Sequence, residues 1–201
     1  MCINDSTRGV FAGRVSSPTF ENTIDYITIA QTGNAIDFGD ISIAIRNPVG
    51  GSSPTRGVFA LGRNTGGTDL NSIDFLTIST LGNTADFGDL DFTGRYGCGG
   101  SNAVRCLMTK GTGNVNTVNF VTIATLGDAL DFGDLTQTSN TQLPCMCTSP
   151  TRAVRVAGQD SFTNTMDYAQ IMTTGNFIDF GDAVEAKSGR ASLSNGHGGL
   201  G

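Results

Sequence analysis

Residues 36–40 read Ile-Asp-Phe-Gly-Asp (IDFGD), and how this stretch is read decides the fold. It returns as ADFGD at 85–89, LDFGD at 130–134 and IDFGD at 178–182. Its first aspartate therefore stands at Asp37, Asp86, Asp131 and Asp179, at intervals of 49, 45 and 48 residues. Four copies at a near-constant interval mark a repeat, and units of this length cover one another's apolar faces because none can do so alone.

Three further features travel with the motif. An arginine opens a strand-like run at Arg8, Arg56, Arg105 and Arg152, as in STRGVFAGR (6–14) and PTRGVFALGR (54–63). A second run follows: TIDYITIA (23–30), SIDFLTIS (72–79), TVNFVTIA (117–124) and TMDYAQIM (165–172). A Gly-Asn or Gly-Asp turn then leads into DFGD. A fourth run is clear in two copies, DISIAIR (40–46) and DLDFTGR (89–95), and weak in the others. Each unit reads as strand, loop, strand, tight turn, short strand and fourth strand.

The second run is the most informative. In 72–79, alternate side chains point to opposite faces, so Ile73, Phe75 and Thr77 share one face and Asp74, Leu76 and Ile78 the other. Both faces are largely apolar, whereas a sheet with one wet face would alternate apolar and polar. Such a strand needs cover on both sides, and stacked sheets supply it. The predicted fold is all-β: a β-propeller of four four-stranded repeats of about 48 residues. Half of a larger ring formed by two chains, or an open repeat array, are the alternatives; closure within the chain is preferred because an open array leaves two terminal sheets bare. Residues 1–201 form a single repeat domain, with repeats at approximately 6–52, 53–100, 101–148 and 149–193 and a Gly-rich tail at 194–201.

Within that frame DFGD is structural. Phe38, Phe87, Phe132 and Phe180 are expected as buried anchors between units. Gly39, Gly88, Gly133 and Gly181 permit a bend or a close backbone approach, and the aspartates accept hydrogen bonds from turn amides. The recurrent arginines are expected to pair with DFGD carboxylates of the same or the next unit, where bidentate geometry suits Arg. Asp-Phe-Gly also binds metal in protein kinases, but no Gly-rich loop with a following Lys and no HRD segment is present. Two carboxylates around a glycine suggest calcium, yet a loop site supplies more oxygen ligands in succession. No catalytic, cofactor-binding or metal-binding residue is assigned, no cofactor is expected, and the chain is read as no enzyme. Its one histidine, His197, sits in the Gly-rich end. Cys2, Cys98, Cys106, Cys145 and Cys147 are odd in number and lack zinc-site spacing, so they read as small apolar side chains near strand ends.

Composition closes off other classes. Net charge is −6, and Lys110 and Lys187 are the only lysines, so no basic cluster exists to displace counterions from nucleic acid. No apolar stretch approaches about 18 residues, and the start lacks a basic region followed by an apolar core, so neither a membrane span nor a secretory signal is predicted. The loops after the first strand diverge (VSSPTFEN, NTGGTDLN, GTGNVNT, DSFTNT), as do the connections NPVGGSSP, YGCGGSNA and TQLPCMCTSP. A constant frame with divergent polar loops has the form of a binding or assembly module.

The run STRGVFAGR followed by NTIDYITIAQTGNAIDFGD resembles the repeats of structural proteins of marine cyanobacterial phages and related marine tailed phages. The ending GRASLSNGHGGLG is similar to the closing segment of such proteins. The likeness covers nearly the whole chain; the third and fourth units depart from it at 105–110 and 152–159, and likeness to kelch repeats is weaker. The resemblance implies a non-enzymatic virion protein (tail-fibre, tail-associated or capsid-decorating) assembled in the host cytoplasm and acting in assembly or host adhesion. Its expected partners are other virion proteins or a host surface glycan, and it is expected to form homo-oligomers. The alternative is a cellular carbohydrate- or protein-binding propeller module. The ligand-binding residues are unknown at this stage.

Overall fold

The computed structural model describes residues 8–16, 19–139, 144–156, 163–186 and 190–194. Cys2, Lys187 and His197 lie outside them. The described residues form strands and no helix. In chain order the strands are β1 (Arg8–Phe11), β2 (Arg14–Ser16), β3 (Thr19–Glu21), β4 (Thr23–Thr28), β5 (Ile36–Asp40), β6 (Ile45–Arg46), β7 (Val49–Ser52), β8 (Arg56–Ala60), β9 (Arg63–Asn64) and β10 (Leu70–Thr77). Then come β11 (Ala85–Gly94), β12 (Cys98–Ser101), β13 (Arg105–Thr109), β14 (Val115–Thr122), β15 (Leu130–Ser139), β16 (Cys145–Thr148), β17 (Arg152–Val156), β18 (Thr165–Gln170) and β19 (Ile178–Asp182).

Three antiparallel four-stranded sheets run in the orders β7-β8-β10-β11, β12-β13-β14-β15 and β16-β17-β18-β19, and a three-stranded sheet runs β1-β4-β5. Each is a meander, so strands adjacent in sequence are adjacent in space and hairpin turns suffice to join them. Two small pairs, β2-β3 and β6-β9, complete the set.

Strand identity differs from the sequence reading in one respect. DFGD and the run after it are one continuous strand in the second and third units, β11 and β15. The fourth member of each sheet is instead the VGGS, CGGS or CMCT segment, which the sequence presented as a connection; it pairs with the arginine strand that follows it, Val49 to Ser52 against Ala60 to Gly57. Glycine depletes strand propensity, and here its lack of a side chain is what the packing needs. A Cβ added at Gly99 would overlap the Gly50 carbonyl of the preceding sheet, and one at Gly51 would overlap the Cys106 sulfur of the next.

The core lies between sheets. Ile24, Phe38, Ile41 and Ile45 of the first unit pack with Leu76 of the second. Val58, Ile73 and Phe87 of the second pack with Cys106, Met108, Val121 and Ile123 of the third. Leu107, Val118, Phe120 and Phe132 of the third pack with Met146, Ala153, Ala169 and Ile171 of the fourth. The two faces of β10 and of β14 thus serve different layers, as their double-sided apolar pattern predicts. Burying a phenylalanine in such a layer contributes about 2–3 kcal/mol.

Candidate assembly and binding surfaces

Each layer is also a polar seam, and the same bonds recur in all three. The DFGD segment meets its strand partner at a register shift, between Ile24 and Asp25 in the first unit and at equivalent places in the others. This bulge turns the Phe carbonyl and the second Asp toward the next unit. Gly82 N–H donates to the Phe38 carbonyl at 2.8 Å, Gly127 to Phe87 at 2.8 Å and Gly175 to Phe132 at 2.7 Å. Two residues on, Thr84, Ala129 and Phe177 amides donate to the Asp40, Asp89 and Asp134 carbonyls. The reverse direction is served by side chains. The amides of Asp40, Asp89 and Asp134 donate to Asn83, Asp128 and Asn176, each at 3.0 Å. The amides of Ser42, Asp91 and Thr136 donate to Asp74, Asn119 and Asp167, at 3.0, 3.2 and 3.3 Å.

Glycine at the third DFGD position is required twice over. Gly39, Gly88 and Gly133 have φ of 145°, 145° and 137°, where a side chain is strained. A Cβ there would also overlap the carbonyl group of Gly82, Gly127 or Gly175.

The arginines do not pair with DFGD carboxylates, contrary to the sequence expectation. Arg8, Arg56 and Arg105 donate instead to the carbonyls of Ile78, Ile123 and Ile171 in the next unit, at 2.8, 3.1 and 3.2 Å. Each guanidinium lies over the aromatic ring of its own second strand, 4.9 Å from Tyr26, 4.8 Å from Phe75 and 4.4 Å from Phe120. The carboxylates do not need a cation: Asp37, Asp131 and Asp179 are exposed and accept the amide of the glycine two residues on, as turn aspartates do. Among the described residues no group of three or more His, Cys, Asp or Glu is placed to hold a metal ion.

Phe38, Phe87 and Phe132 are the expected anchors, each at most 3% exposed. They meet Tyr26, Phe75 and Phe120 edge to face at 5.9, 6.0 and 5.9 Å, a geometry that contributes about 0.5–1.5 kcal/mol beyond burial. Phe180 departs from the expectation. It makes the same contact with Tyr168 but is 46% exposed, because none of the described residues covers it as the next unit covers its counterparts. Among the described residues no hydrogen bond joins the fourth sheet to the first, so the closure favoured by the sequence reading is not made there.

The third seam carries a buried ion pair. Arg155 Nη1 stands 3.5 Å from Asp167 Oδ2, both side chains at most 2% exposed. Asp167 also accepts from the Thr136 hydroxyl at 2.9 Å. Its counterpart Asp74 does without a cation: it accepts from Ser42 N–H and the Thr84 hydroxyl and faces Phe59 across the strand pair. In the third unit Asn119 faces Met108.

The four described cysteines are packing groups. Cys98, Cys106 and Cys145 are buried and Cys147 is half-buried, all as free thiols. Burial pushes the Cys106 thiol up to about 12 from 9.0 and raises Cys98 and Cys145 as well, because a thiolate is disfavoured away from water. Cys98 and Cys106 are expected to resist Ellman's reagent in the folded chain and to react fully in guanidinium. Full labelling of the native chain would contradict the packing. A thiol raised in the folded state favours folding below its unfolded value, so this contribution from Cys106 is lost as pH rises from about 9 to about 12.

The seams leave two ends of the sheets free for other contacts. At one end the loops after the arginine strands of adjacent units abut. Hairpin β2-β3 meets β6, which pairs with β9, and Arg46 lies over Phe20. In the second unit Arg95 donates to both oxygens of Asp69, at 2.5 and 2.8 Å, and Arg63 donates to the Gly67 carbonyl, pinning loop 61–69. Lys110 reaches the Thr93 carbonyl and lies over Phe92. At the opposite, turn end, Ile36, Leu81, Leu126, Leu130 and Ile178 are each more than half exposed. The sequence reading missed this group; the signal was an apolar residue directly before DFGD (Ile36, Leu130, Ile178) and a leucine directly before the turn glycine (Leu81, Leu126). A cleft of about 310 Å³ between β1 and β7-β8 is lined by Gly9, Gly50, Gly51 and Gly57. Its one charged side chain, Arg8, is already engaged by Ile78 and Tyr26.

No family model and no characterised protein matches the chain.

Proposed function

We propose that this chain is a non-enzymatic structural protein of a tailed marine phage virion, in a tail-fibre, tail-associated or capsid-decorating position. In this reading the stacked sheets are blades of a propeller-type assembly of four units of about 48 residues. The frame is constant because DFGD, the arginines and the Gly-Asn turns are spent on seams. What varies is the loop end, and that is where a host glycan or a neighbouring virion protein is bound. The observation that carries the proposal is the contiguity of divergent loops from adjacent units, joined by the β6–β9 pairing of Ile45 and Arg46 with Asn64 and Arg63 and by Lys110 on the Thr93 carbonyl. A rigid frame presenting variable loops suits recognition, and the recurrent apolar side chains at the turn end suit burial against another protein.

Gradient-purified particles of the encoding phage are expected to contain the chain in fixed proportion to the other virion proteins. Recovery of the chain only in the soluble fraction of the infected lysate overturns the virion role. Selective binding of the isolated chain on a glycan array would assign adhesion rather than assembly to the loop end.

A further inference from the structure

The three internal seams have a direction, and the outermost faces of the sheets are its two unmatched halves. A unit offers its next neighbour an arginine, a Phe carbonyl, the amide and carbonyl of the second DFGD aspartate, and the amide two residues further on. In the fourth unit these are Arg152, Phe180, Asp182 and Val184. Arg152 lies over Tyr168 at 4.5 Å like its three counterparts, but it is exposed and its guanidinium meets no carbonyl among the described residues. Phe180 is 46% exposed where its counterparts are at most 3%, and Val184 is fully exposed. A Cβ added at Gly181 meets nothing, whereas at Gly39, Gly88 and Gly133 it overlaps the next unit.

A unit offers its preceding neighbour an Ile carbonyl, a Gly-Asn turn with the amide two residues on, and an Asp or Asn in the second strand. In the first unit these are Ile29, Gly33, Asn34, Ala35 and Asp25. Ile29 is 64% exposed, while Ile123 and Ile171 at the same position are at most 1%. Asn34 is exposed and accepts no backbone amide among the described residues, unlike Asn83 and Asn176.

We propose that the first unit of a second copy of this chain docks on the fourth unit, repeating the internal seam. Arg152 then donates to the Ile29 carbonyl. Gly33 and Ala35 amides donate to the Phe180 and Asp182 carbonyls, the Asp182 amide donates to Asn34, and the Val184 amide donates to Asp25. Phe180 and Ile29 become buried. Among the described residues, the C-terminal segment 190–194 does not fill this face. Ser192 donates to the Met146 carbonyl, continuing the step by which Ser101 reaches Ser52 and Thr148 reaches Ser101, but it lies at the β16 edge and leaves Arg152 and Phe180 open. Such a contact is heterologous: different surfaces meet, and repetition gives a ring where the rotation closes and a filament where it does not. The inference rests on reading the chain as an assembly scaffold, and it adds the partner and the residues.

Light scattering on a dilution series of the purified chain is expected to show a concentration-dependent mass of twice 20.9 kDa or a higher multiple. Ile29→Glu and Arg152→Glu, both at exposed side chains, are each expected to leave circular dichroism unchanged and to reduce the species to one chain. Mixing the two variants is expected to restore a one-to-one pair, since each retains the half that the other lacks. A single-chain mass for the unmodified protein at every concentration overturns the proposal. So does association that neither substitution weakens, or failure of the mixture to pair. A single-chain protein still found in particles would remove this seam and leave the virion role standing.

Discussion

Alanine at Gly88 is expected to lower stability by about 1–3 kcal/mol more than alanine at Gly127, although the two glycines have nearly the same backbone angle. Their φ values are 145° and 142°, so both substitutions carry a backbone penalty of about 1–3 kcal/mol. The surroundings differ. A Cβ at Gly127 enters open space, while one at Gly88 overlaps the Gly127 backbone. Neither partner is a flexible side chain, so relief requires the sheets to part, and overpacking of this kind costs about 1–3 kcal/mol. At about 2–4 °C per kcal/mol for a chain of this size, Gly88→Ala melts about 2–12 °C below Gly127→Ala. Equal melting temperatures would mean that the second and third sheets do not approach as described.

The buried pair of the third seam gives the second large effect, and an asymmetric one. Asp167→Asn removes the charge of the buried carboxylate that faces Arg155, and breaking a buried pair from one side costs about 3–5 kcal/mol. Arg155→Met is expected to cost no more than about 1 kcal/mol, because an aspartate at this position is already tolerated opposite an apolar residue: Asp74 faces Phe59 and is satisfied by Ser42 and Thr84. The double substitution rebuilds the Asn119–Met108 pairing of the third unit. It is expected to recover most of the loss, with a coupling energy of about 2 kcal/mol or more in a double-mutant cycle. Urea denaturation of the four proteins measures it. Equal losses for the two single substitutions would show that the seam does not depend on the charge at position 167.

Much of the frame was legible because stacking imposes its pattern on single strands. Ile73 and Leu76 point to opposite faces of β10, and both are buried, at 0% and 3%. That is the outcome the two-sided apolar run predicts. The phenylalanine anchors were legible for the same reason. The arginine partners were not. A guanidinium that recurs beside recurring aspartates invites pairing, whereas a backbone carbonyl leaves no mark in a sequence, and the Ile78, Ile123 and Ile171 carbonyls are what the arginines find. Two of the opening strands, VGGS and CGGS, were hidden by their glycines. Their paired glycines lack the branched side chains that signal a strand, since at Gly51, Gly99 and Gly100 the neighbouring sheet stands where those side chains would be. The exposure of Phe180 was beyond reach too, because the four motifs are nearly identical locally and differ only in having a follower.

Every one of the five bonds in a seam has a main-chain group on at least one side, and the side chains that complete them come from a short set shared by all units. A gene segment encoding one unit could therefore be duplicated or lost in frame without redesigning the joint it creates, since the new neighbours would meet through the same groups. Chains of different lengths sharing this frame are the expected products of such recombination, with diversification confined to the loops that the joints do not use.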